Sequence, residues 1–244
     1  MPYPRVNGIP PVNSPRAERY EAGRALRKRV ARETHADCPP ASGRDPVAIL
    51  AETDGARIPE LLPIRYERML QSPFTFLRGA AAVMAHDLSA LPQTGAHVQA
   101  CGDCHLLNFG AFNSPEGRVL FDINDFDETL PGVDFTADLK RLAASVAVAA
   151  LNANMPDKKA RDLAKATVQS YREFIPELAT KTPLEVWYTR MDFDREIKRI
   201  ADDKLREIIS PALVKAKKDL AADDNFPHLA VTKASSPISR TARP

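Results

Sequence analysis

Apolar residues recur at helical spacing through most of the chain, and short strand-like runs occur only near its middle. Residues 17–33 are rich in helix formers and mostly polar, which predicts a solvated helix with a narrow apolar stripe at Tyr20, Leu26 and Val30. Residues 34–46 read as a loop. A short helix then begins with Asp45 as N-cap and Pro46 in the first turn, and runs to about Glu52. Residues 59–71 predict another helix. Ser72-Pro73 open a longer one over 74–91, with Phe76, Ala80, Val83, Met84 and Leu88 at helical spacing. Its alanines and Gly79 predict close packing against another element, and Pro92 and Gly95 end it.

Three short strands follow by pattern, at 97–101, 107–112 and 118–123, with a turn at 113–117. Residues 135–152 predict a strong helix whose buried side is Leu139, Leu142, Val146 and Ala149 or Ala150. Helices over 157–178 (with Leu163, Val168, Tyr171 and Phe174), 184–190 and 192–222 complete the pattern. Trp187 and Tyr188 read as core or helix-edge residues. Residues 1–16 carry five prolines and read as a flexible arm, and 223–244 have the composition of a disordered tail. The expectation is an α+β fold dominated by helices, with a small antiparallel sheet carrying the central loop, in one domain over 17–222.

Composition narrows the class. A net charge of +2, with Lys and Arg interleaved among acids, gives no case for a nucleic-acid partner. No run of about 18 apolar residues occurs, and the N-terminus lacks a secretory core, so a cytoplasmic location without membrane association is expected. Cys38, Cys101 and Cys104 are expected to be free thiols. No feature of the sequence reports an oligomeric state.

The chemistry concentrates in residues 101–128, CGDCHLLNFGAFNSPEGRVLFDINDFDE. Between 101 and 140 there are eight acids and two bases, a local charge of −6 in a chain that is +2 overall. Carboxylates gathered in this way repel unless a cation sits among them, and a hard cation with oxygen ligands is the usual one. A D-x-x-x-x-N loop supplies a carboxylate that orients an attacking hydroxyl and one metal ligand, and an Asp after the next strand supplies another. On that template Asp103 orients the hydroxyl, while Asn108 and Asp125 hold Mg²⁺, with Asp127 as an alternative ligand. The bland reading is a tight turn held by Asx hydrogen bonds. His105 reads as a loop-bracing partner, and Asp122 as a strand-end residue. Arg78 either pairs with the acids or lies on an exposed helix face. Cys101–His105 also spells C-x-x-C-H, which leaves a thiol-redox or haem protein as an alternative. Haem is disfavoured because no export signal is present, and zinc because a second ligand pair is missing.

G-D-x-H-x-x-N followed by D-F-D-E resembles the catalytic core of aminoglycoside phosphotransferase-like and choline-kinase-like enzymes. The downstream Leu130-Pro131-Gly132 and Asp138-Leu139 continue the resemblance. It implies the C-lobe of a kinase-like fold, catalytic Asp103 and His105, Mg²⁺ and ATP as cofactors, a small-molecule acceptor, and Asp138 as a brace for the loop. More narrowly, SPFTFLRGAA, CGDCHLLNFG, FDINDFDETLPG and DLKRLAAS together resemble the bacterial domain-of-unknown-function family 2252, which brings no established activity. Position 101 is Cys where the phosphotransferases carry His, and neither G-x-G-x-x-G nor a Val-Ala-x-Lys strand is present. The expectation is therefore a phosphotransferase core truncated before its nucleotide-cradling segment. A non-catalytic binding module of the same fold is the alternative.

Overall fold

The computed structural model describes residues 10, 14–36, 43–114, 116–201, 203, 207, 210, 230–233 and 236–239. They form two compact units, Met1–Asn108 with Asp125–Pro176, and Phe109–Asn124 with Glu177–Pro244. The expected arm at 1–16, the tail at 223–244, Cys38 and most of the helix expected beyond Arg199 fall largely outside the described residues.

The first unit begins with α1 (Arg16–Arg29), exposed along most of its length, with Leu26 buried and Tyr20 66% exposed. Of the expected apolar stripe, Leu26 is buried, Val30 is half-buried and Tyr20 is exposed. α2 (Pro46–Asp54) starts as its sequence dictates, because the Asp45 carboxylate accepts from the N–H groups of Val47 and Ala48. The 59–71 segment divides into a 3₁₀ turn, Pro59–Leu61, and α3 (Leu62–Met69). The core of this unit is Leu50, Met69, Ala80 and Val83, with Ile49 and Tyr66 packed against it.

The long helix expected over 74–91 is broken in two, α4 (Pro73–Gly79) and α5 (Ala81–Ser89). Ser72 and Thr75 form a capping box at the start of α4. Two arginines sit at the break. Arg65 Nη2 donates to the Gly79 carbonyl (2.5 Å) and Arg141 Nη2 to the Leu77 carbonyl (2.8 Å). The Leu77 carbonyl also accepts from the Ala80 N–H (3.2 Å), so α4 closes on a tight last turn at Ala80 with both arginines bound to its final carbonyls. Gly79 packs as its composition predicts, since a Cβ there would stand 2.5 Å from the Met69 sulfur.

The central strands differ from expectation in their pairing. β1 (His97–Ala100) joins no three-stranded sheet. β2 (Phe109–Asn113) pairs with β3 (Val119–Ile123) as a hairpin belonging to the second unit. β1 pairs instead with β4 (Leu130–Asp134), a segment whose Leu-Pro-Gly reads as a loop. The register runs Val98↔Val133 and then Gln99↔Pro131, so Gly132, at φ 81°, is the extra residue of a bulge. The bulge accommodates the residues that normally exclude a strand.

α6 (Thr136–Asn152) and α7 (Asp157–Leu178) follow, close to their expected bounds. Phe135 stacks on Tyr171 with ring centroids 6.3 Å apart. In the second unit, α8 (Pro183–Trp187) leaves Trp187 83% exposed, at a helix edge and outside any core. α9 (Phe193–Arg199) packs on β3, with Phe193 stacked on Phe121 at 5.5 Å. The backbone of β5 (Ala230–Lys233) and β6 (Ser236–Ser239) forms another antiparallel pair. The class is α+β with helices dominant, as the pattern predicts.

Candidate functional site

α6 is alanine-rich, and its most deeply buried positions include two polar residues, Arg141 and Ser145. Together with Asp138 they stand at i, i+3 and i+7, which is one helix face. Each holds a different part of the loop between Cys101 and Asn108. The Asp138 carboxylate accepts from the N–H groups of Cys101 (2.7 Å) and Gly102 (3.1 Å). Arg141 Nε and Nη2 both donate to Asp103 Oδ1. Ser145 Oγ accepts from the Leu106 N–H at 2.9 Å and donates its own O–H to the Leu142 carbonyl. Of the expected buried side of this helix, Ala150 is buried, while Leu139, Leu142 and Val146 are only half-buried. The polar stripe takes the deepest position because the loop it serves has buried N–H groups and a buried carboxylate to satisfy.

Inside the loop, Asn108 Nδ2 donates to the Asp103 carbonyl at 2.8 Å. His105 Nδ1 accepts from the Leu107 N–H, which places the proton of the neutral ring on Nε2. That Nε2 faces Asp103 Oδ2 at 3.6 Å. Burial holds the His105 ring below its ordinary value of 6.5, and the positive charges of Arg141 and Arg78 act the same way. Burial pushes the Asp103 carboxyl up from 3.8, while Arg141 works against it. The outcome is a carboxylate with one oxygen fixed by Arg141 and the other turned to His105.

Gly102 joins this loop to the acids downstream. It sits at φ 85°, and a Cβ there would overlap the Glu128 carbonyl. The Cys101 thiol donates to the Asp125 carbonyl at 3.6 Å and accepts from Asn108 Nδ2 at 4.0 Å. Cys101 thus links Asn108 to Asp125. The Asp125 backbone is brought to the Asn108 side chain through Cys101, the Asp125 charge reaches Asp103, and Asp127 stands on the adjoining turn, its N–H directed at Asp125 Oδ1 (3.3 Å). Asp125 and Asp127 are exposed. Partial burial and then the negative charges of Asp103, Asp125 and Asp127 push the Glu128 carboxyl up. Asp122 is not part of this group; its side chain caps the N–H of Ile123. Arg78 makes no ion pair among the described residues, but its charge reaches Asp103 and His105.

The oxygen donors Asn108, Asp125 and Asp127 suit a hard cation, and the repulsion felt at Glu128 is what such an ion relieves. Among the described residues no three His, Cys, Asp or Glu side chains enclose a metal site. Mg²⁺ commonly takes one or two carboxylates and completes its shell with water and phosphate.

Thiol chemistry finds less support. Cys101 and Cys104 are free and buried, and burial pushes the Cys104 thiol up to about 12 and raises that of Cys101. A redox pair requires an accessible thiolate. Arg141 and Ser145 were not legible as site residues from the motif alone. Their signal is polar spacing on the inner face of an otherwise small, apolar helix. Asp134 was missed in the same way: it accepts from Thr94, Gly95 and Thr136 and fixes the junction of β4 and α6.

No helix among the described residues is long and apolar enough to cross a membrane. A family model described as an uncharacterized protein conserved in bacteria (DUF2252) matches residues 57–243. No curated protein and no solved structure matches the chain.

Proposed function

The chain belongs to this uncharacterised bacterial family, DUF2252, and within it we propose that the 101–141 region is a kinase-like core for Mg²⁺-dependent phosphoryl transfer to a small molecule. The observation that carries the reading is the joining of two unlike parts at Gly102. One is a clamped carboxylate, Asp103, and the other is an exposed acid turn, Asp125–Glu128, whose charges repel.

Each residue has a task that follows from its contacts. Arg141 takes Asp103 Oδ1, so Oδ2 remains to accept a hydrogen bond from an acceptor hydroxyl. His105, neutral and with its proton on Nε2, orients that second oxygen. Phosphoryl transfer asks for positioning more than for a strong base, so a paired carboxylate suffices. Asp138 fixes the backbone at Cys101 and Gly102, which sets the distance between Asp103 and the acid turn. Asn108, Asp125 and Asp127 would hold Mg²⁺, which when bound neutralises charge on the nucleotide phosphates.

Calorimetric titration with Mg²⁺·ATP tests the reading. Wild type is expected to bind, and Asp125→Ala to bind at least about tenfold more weakly, the size of one lost charge-assisted contact. Equal binding by both proteins, or none by either, rejects it in favour of a non-catalytic module of the same fold.

A further inference from the structure

The first unit contains a cavity of ≈ 690 Å³ that reaches Gly102 and Glu128 of the candidate site. One wall is apolar, formed by Ala81, Ala85 and Leu88 of α5 with Val133 of β4. The opposing polar groups are dominated by cations, and their state matters more than their number. Arg141 is neutralised by Asp103; of the three lining carboxylates, Asp134 and Asp138 are already occupied by hydrogen bonds, and Glu128, at the cavity's edge toward the acid turn, is within the field of Arg57. Arg57 and Arg78 also line the cavity, and neither forms an ion pair among the described residues. Arg65 donates one nitrogen to the Gly79 carbonyl, and its Nη1 is buried with no hydrogen-bond partner. A buried guanidinium N–H without an acceptor carries a standing cost.

We propose that this cavity binds an anionic small molecule, its carboxylate or phosphate group held by Arg57, Arg65 and Arg78 and its apolar part lying on α5. Guanidinium groups match planar or tetrahedral oxyanions with paired hydrogen bonds, and an apolar wall opposite selects a compact hydrocarbon body. Aminoglycosides and choline are cations, so this cavity is built against the acceptors of the enzymes that the motif resembles. The proposal rests on the phosphotransferase reading only in calling the ligand an acceptor.

The test is calorimetry in EDTA without nucleotide, with phenyl phosphate and benzyltrimethylammonium as probes. Phenyl phosphate is expected to bind saturably and benzyltrimethylammonium not to bind. Arg78→Ala and Arg57→Ala, both at exposed positions, should each weaken phenyl phosphate about tenfold, and Arg78→Lys should recover part of the loss. Asp125→Ala should not weaken it. No binding of phenyl phosphate, equal binding of the cationic probe, or an affinity unmoved by both arginine substitutions overturns the proposal. Arginine-dependent anion binding in a protein that does not take Mg²⁺·ATP leaves the anion site standing and rejects the phosphotransferase reading. Mg²⁺·ATP binding without anion binding does the reverse.

Discussion

Residues 101–108 and 125–128 touch at Gly102, yet the two segments are held in opposite ways. The first is buried apart from the half-buried Gly102 and the exposed Leu106 and Leu107, and is clamped by side chains from α6 thirty to forty positions away in sequence. The second is exposed, Phe126 included at 59%, and is held by a turn hydrogen bond from Thr129 to Phe126 and by backbone contacts to the first. A buried polar network tolerates little change because each member leaves another unsatisfied. An exposed acid turn tolerates change in stability terms, and its charges remain available to a ligand. The contrast therefore separates residues that make the site from residues that use it.

The largest effect is expected where the clamp is a charge. Arg141→Met leaves the Asp103 carboxylate buried without its partner and should cost about 3–5 kcal/mol, seen as a lower denaturant midpoint. Adding Asp103→Leu to it should recover much of that loss, because two apolar groups can replace a buried pair. No recovery would mean that Asp103 has contacts beyond those described. Gly102→Ala comes next, at about 2–3 kcal/mol, since alanine must adopt a positive φ and displace the Glu128 carbonyl. Ser145→Ala removes the acceptor of the Leu106 N–H and should cost about 1–2 kcal/mol.

Acid should loosen the clamped segment before it affects the turn. The folded-state pKa of His105 is lowered, so the unfolded chain binds its proton first. Stability is full above the unfolded value of 6.5 and falls as pH drops below it. For Asp134, burial pushes the carboxyl up, but bonds from Thr136, Thr94 and Gly95 outweigh it and hold the group below 3.8. Its contribution is present above 3.8 and lost as pH falls through the lowered folded value. Thermal melts from pH 8 to 3 should therefore show a first decline below about 6.5 that is absent in His105→Gln and a second near the acid limit. The smallest effect belongs to Asp125→Ala and Asp127→Ala, which should change stability by no more than about 0.5 kcal/mol. A larger loss would make the turn a structural element and erase the contrast.

Much of the framework was legible because its signals are local. Asp45 with Pro46, Ser72 with Pro73, and the bounds of α7 depend on neighbours within one turn. What failed depends on distant partners. The break at Ala80 is met by arginines from positions 65 and 141, and β4 is a strand because a bulge at Gly132 lets it pair with β1. The motif residues were found by type and spacing, but the groups that position them were not. Arg141 and Ser145 show their role only when the loop is laid along α6.

The central claim is that the exposed turn collects a divalent ion beside the clamped carboxylate. A Mn²⁺ titration followed through backbone amide resonances tests it most directly, because paramagnetic broadening reports distance to the ion. Selective broadening at Asn108 and Asp125–Glu128, lost in Asp125→Ala, is the predicted result. Broadening spread evenly over the surface acids, or unchanged in that variant, would contradict it.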